Sequence, residues 1–111
     1  MKIYKGYRES VDNYAEDNFI TVDGKNFERA MLQKSLDIRN HSPTGFNWGY
    51  GGSGPHQLAL ALLMDATNDN YVAETFHHDF TKEFVSQWGQ KWETSDDVIN
   101  AWVKSKQVGL N

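Results

Sequence analysis

Apolar residues fall at every second position on either side of residues 42–45. Leu36 and Ile38 alternate with Asp37 and Arg39, and Phe46, Trp48 and Tyr50 alternate with Asn47, Gly49 and Gly51. A period of two is that of a strand, because successive side chains of extended backbone point to opposite faces. Between the two runs, Ser42-Pro43-Thr44-Gly45 has Ser first, Pro second and Gly fourth, the residues of a type I turn. Together they predict a β-hairpin over residues 35–50, with three rings on one face of its second strand and glycines and an asparagine on the other. The next residues, Gly51-Gly52-Ser53-Gly54-Pro55, predict a helix start, with Ser53 as N-cap and Pro55 in the first turn. From Gln57 to Met64 the helix is apolar on nearly every side, which marks a buried central element. The run is too short to cross a bilayer.

Around this centre the pattern is sparser. Ile3, Tyr4 and Tyr7 open a first strand, residues 19–25 read as a second ending in an Asp-Gly turn, and the segment between them is polar. Residues 26–34 stay unassigned, since Phe27, Ala30 and Met31 mark either one helical turn or a loop packed on the sheet. Val72, Phe76, Phe80, Phe84 and Trp88 recur every four residues, a stripe that drifts round a straight helix and so predicts a break near residues 77–79, with Asp79 as cap. Trp92 falls in an extended piece after Gly89. Thr94-Ser95-Asp96-Asp97 has the Thr-x-x-Asp form of a capping box before a last helix carrying Val98, Ile99, Trp102 and Val103, with Lys104 and Lys106 at its negative end. The expected class is α+β: a small antiparallel sheet of about four strands, then a buried central helix and C-terminal helices packed mostly on one face.

The segment LDIRNHSPTGFNWGYGGSGP followed by QLAL, residues 36–55 and 57–60, resembles a family of short uncharacterised proteins of bacteria, archaea and phages, a domain of unknown function. The likeness continues more loosely through His78-Asp79-Phe80 and through Trp92, Ile99 and Trp102. It implies a fold and a phage-like setting, and no catalytic residues. His56 departs from the motif, where a small residue such as alanine is expected. Any role of that imidazole is therefore particular to this chain.

The 111 residues carry a formal charge of −4 and no cysteine. A chain of this length buries about two-thirds of its unfolded surface, enough for one core, so a single compact domain over residues 1–111 is expected. No disulfide framework or thiolate chemistry is available, and the N-terminal residues alternate like a strand rather than forming a signal sequence, which fits the cytoplasm. The charge argues against a nucleic-acid footprint.

The glycine loop Gly51, Gly52, Ser53, Gly54 offers backbone N–H groups at the positive end of the central helix, an arrangement that cradles anions. No G-K-[ST] follows it, and G-x-S-x-G is absent because Pro55 stands where the last glycine belongs, so Ser53 reads as a cap and not a nucleophile. His41, His56, His77 and His78 raise the question of a metal. Adjacent helical residues point about 100° apart, so His77 and His78 are expected not to share an ion; Glu74 with His78, or Asp79 with Glu83, share a face instead. Without H-E-x-x-H or cysteines, no metal centre and no cofactor are expected. Phe46 and Trp48 read as core.

These readings describe a small non-enzymatic binding or interaction protein of phage or mobile-element type. Its expected partner is another protein, engaging the turn and glycine loop over residues 41–56, with His41, Asn47, Tyr50 and His56 as the functional surface. The alternative is a small-ligand protein, an enzyme in one version, that holds phosphate or another anion over residues 51–54. No catalytic residue is assigned, and neither nucleic acid nor membrane is an expected partner.

Overall fold

The computed structural model describes residues 1–9 and 18–109, the side chains of 28–30 and 109 excepted. The polar linker expected between the first two strands lies largely outside the described residues. β1 (Ile3–Arg8) and β2 (Asn18–Val22) pair antiparallel with Gly6 opposite Ile20. The chain turns into β3 (Lys25–Asn26) through Asp23 and Gly24, whose φ angles are 51° and 80°. Two successive left-handed residues match the twist of the flanking strands, which is why Asp-Gly suits the position. β4 (Lys91–Ser95) lies along the other side of β1, giving the order β3-β2-β1-β4. Tyr4, Gly6, Arg8, Asn18 and Ile20 face the core, whereas Lys5, Tyr7 and Phe19 face solvent.

Residues 35–50 do not form the expected hairpin. α1 (Glu28–Ile38) takes in Leu36 and Ile38, and Phe27, Met31 and Ser35 are buried at helical spacing. Residues 39–52 form an irregular loop in which Phe46, Asn47 and Trp48 are buried in succession. Their backbone is satisfied by side chains rather than by a partner strand. Asn18 Nδ2 donates to Phe46 O (3.1 Å), an Arg8 guanidinium nitrogen donates to Trp48 O (2.8 Å), and Trp48 N donates to Asn47 Oδ1 (2.9 Å). A loop that meets its hydrogen-bonding demand this way needs no ladder. The turn at 43–44 is present, with Ser42 Oγ donating to Gly45 O at 2.8 Å.

α2 (Ser53–Thr67) is the central helix, packed by α1 and by two later helices. Leu58, Leu60, Leu62 and Leu63 are all fully buried, and each such side chain stabilises the fold by about 1.5–3 kcal/mol relative to exposure. Its N-cap is Gly52, not Ser53, which is already the first helical residue and is exposed. Asn68, at φ 54°, closes α2 in the left-handed conformation, and Asp69 accepts from Val72 N (3.1 Å) to cap α3 (Asn70–Glu83). This short connection lays α3 back against α2.

α3 runs unbroken through residues 77–79. The apolar stripe does drift, but Asp69 rather than Asp79 supplies the cap, and the helix ends at Phe84 before a 3-10 turn, Val85–Gln87. Ser95 rather than Thr94 caps α4 (Asp96–Gly109), accepting from Val98 N at 3.2 Å while Thr94 stays in β4. The α+β class stands: a four-stranded antiparallel sheet, a buried central helix and further helices. No helix among the described residues is long and apolar enough to cross a membrane.

Candidate metal centre

Four imidazoles meet where the loop after α1 crosses the start of α2 and the middle of α3. Gln57 sets the loop. Its side chain is fully buried, and Oε1 accepts from His41 N (2.7 Å) and Ser42 N (3.0 Å) while Nε2 donates to Ser35 Oγ (2.8 Å) and Arg39 O (3.1 Å). One amide thus uses its donors and acceptor to pin the chain between α1 and the turn. His41 is carried directly over α3 as a result. Arg39 and Glu74 form an ion pair that ties the same loop to α3.

His41 Nε2 lies 2.9 Å from His77 Nε2, and one ring nitrogen from each of His41, His77 and His78 falls within 4.8 Å of the others. His77 Nδ1 lies 2.7 Å from Glu74 O, and His56 Nδ1 lies 2.6 Å from Gly52 O. A carbonyl only accepts, so both Nδ1 atoms carry protons, and Nε2 is the atom that holds the lone pair in the neutral form of either ring. His41 Nε2 then donates to His77. A backbone carbonyl holding the far nitrogen of a histidine is the usual support of a metal ligand, because it fixes both tautomer and ring direction.

Burial is the largest influence on the three converging rings, and it disfavours charge. His77, only 1% exposed, has its pKa lowered to about 4; its bond to Glu74 O opposes the shift, and neighbouring His78, His41 and His56 add to it. His41 and His78 are also lowered, by burial first, then by the other histidines and Arg39. All three are neutral at pH 7, the form that coordinates metals.

The structure brings His77 and His78 together, with ring centroids 4.2 Å apart, where divergence along the helix was expected. Side chains that start 100° apart still lean toward the direction between them, and His41 arrives from another segment to meet both. His77 is buried. Two of the carboxylates expected to share ligand faces are engaged elsewhere: Glu74 with Arg39, and Glu83 with Lys106 and the Trp102 indole.

Of the expected surface, His41 and His56 join the cluster, whereas Tyr50 is exposed with its ring folded over Gly52. Asn47 is buried, its Oδ1 accepting from an Arg8 guanidinium nitrogen at 2.7 Å. Gly51 and Ser53 are exposed, while Gly54 is buried so closely on Asn47 that a Cβ there would stand 2.7 Å from the Asn47 Cβ. Gln57 was missed as a positioning residue. Its signal was a lone amide on an otherwise apolar helix, a polar group that burial obliges to find partners.

Fold and cluster together describe an α+β protein with a histidine cluster beside the N-terminus of its central helix. Residues 4–105 match a family of unknown function (DUF6166), and the chain belongs to that family. No curated protein and no solved structure matches it.

Proposed function

We propose that this chain is a small non-enzymatic binding protein whose ligand is a divalent transition-metal ion, held by His41, His77 and His78 within the surface formed by residues 41–56 and α3. The observation that carries the reading is the convergence of three imidazole nitrogens within 4.8 Å. Nitrogen atoms around a tetrahedral ion with bonds of 2.0–2.1 Å stand about 3.3 Å apart, so small ring movements suffice to seat one. Neutral imidazoles select zinc, copper, nickel or iron over calcium and magnesium, which want oxygen ligands. The proposal keeps the phage or mobile-element setting implied by the motif and gives its functional surface a chemical identity.

The test is a calorimetric titration of tag-free, chelator-treated protein with Zn2+ and Co2+. One ion per chain is expected, with affinity reduced roughly tenfold or more in His41→Ala, a loop residue whose removal leaves the leucine core intact. An absence of saturable binding, or binding that His41→Ala leaves unchanged, rejects the proposal.

A further inference from the structure

We infer that His56 is the fourth ligand of this site, closing it into a tetrahedral four-imidazole centre that pins the turn, α2 and α3 together. The inference rests on the metal reading above and concerns what occupies the ion's remaining position. An imidazole bound through one nitrogen at 2.0–2.1 Å has its ring centroid about 3.2 Å from the ion, so a tetrahedral set of four has its centroids about 5.2 Å apart. The four histidines lie on both sides of that value. His77–His78, His56–His78 and His41–His77 are separated by 4.2, 4.7 and 5.0 Å, and His41–His56, His41–His78 and His56–His77 by 5.5, 5.6 and 6.3 Å. The six separations bracket the edge of one tetrahedron, so a single ion can be reached by all four rings with modest movement of each.

The orientation of His56 supports the same role. Its Nδ1 proton is committed to Gly52 O at 2.6 Å, the same kind of anchor that Glu74 O provides for His77, and this leaves Nε2 as its ligating atom. His56 is also the one half-buried residue in an otherwise buried stretch of α2 from Gly54 to Met64. With His78 it lines a cavity of about 320 Å³, bordered by Tyr50 and Gly51, which gives an ion a route to the cluster from solvent. Closing the site swings the His56 ring toward the nitrogens of His41, His77 and His78, which themselves adjust by small ring movements. Four protein ligands leave no position for an activated water, so the site acts as a clasp rather than a hydrolytic centre.

The experiment uses the Co2+-loaded full chain. The wild type is expected to show the intense visible absorption of a tetrahedral centre, unmoved by added azide or inorganic phosphate. In His56→Ala the ion gains an open position, so the affinity is expected to fall about tenfold or more and azide to shift the band. X-ray absorption of the Zn2+-loaded wild type needs no variant, and four imidazole nitrogens at 2.0–2.1 Å are expected. A band that azide shifts in the wild type, an oxygen in the zinc shell, or undiminished binding by His56→Ala overturns the fourth ligand while leaving the three-histidine site standing. Failure of the wild type to bind either metal removes both.

Discussion

Trp92 lies flat across Gly6, its partner in the β1–β4 ladder, so closely that a Cβ on Gly6 would stand 2.1 Å from the indole nitrogen. The indole is held on its other contacts by Trp88, stacked at 4.1 Å, and by the edge of Trp48 at 5.7 Å. Trp92 is only 7% exposed. Gly6→Ala is therefore expected to destabilise the fold by about 1–3 kcal/mol through overpacking, read as a lowered urea midpoint. An unchanged midpoint would show that the tryptophan layer yields.

Trp48 is the hub of that layer. It is fully buried, its indole N–H donates to Gly89 O at 2.6 Å, and the Arg8 guanidinium sits 4.5 Å from its ring centroid. Trp48→Ala is expected to cost about 3–5 kcal/mol through the cavity it leaves. Thermal melts of the two proteins decide this, and equal melting temperatures are incompatible with the burial described.

What could be read from the chain depended on whether the signal was local. The all-round apolarity from Leu58 to Met64 identifies α2 without reference to anything else, and Asp23-Gly24 identifies its turn in the same way. Residues 46–50 misled because their alternation mimics a strand, whereas the groups that satisfy them are Arg8 and Asn18, some 28 to 40 residues away in sequence. The histidine cluster was hidden for a related reason. Helical spacing tests only neighbours on one helix, and His41 and His77 are 36 residues apart until the loop folds over α3. Polar residues in apolar surroundings, Gln57 above all, were the visible trace of those long-range demands.

Gln57 links the loop to the cluster, so its loss is expected to act on both stability and metal binding. Gln57→Leu fills the site with an apolar side chain of similar bulk but leaves the amides of His41 and Ser42 without the oxygen they now share. Leaving these half-buried donors unmet costs up to about 1–3 kcal/mol each, and the loop's escape from that penalty moves His41 away from α3. Both a lower melting temperature and weaker Zn2+ binding are expected. A variant that loses stability but binds zinc as the wild type does would show that His41 is placed by other contacts.

Acid is expected to destabilise the metal-free protein in a defined window. His77 in the fold has a pKa of about 4, against an ordinary value of 6.5, so unfolding takes up a proton at any pH between the two. Stability from this group is complete above about pH 6.5 and is lost progressively as the pH falls through 4, where the loss levels off at roughly 3 kcal/mol. His41 and His78, shifted in the same direction, add to the slope just below their ordinary pKa. Urea denaturation from pH 7.5 to 4.5 measures this directly, with His77→Gln as the control in which His77's share of the slope disappears. A slope that His77→Gln leaves intact would assign the acid sensitivity to other groups.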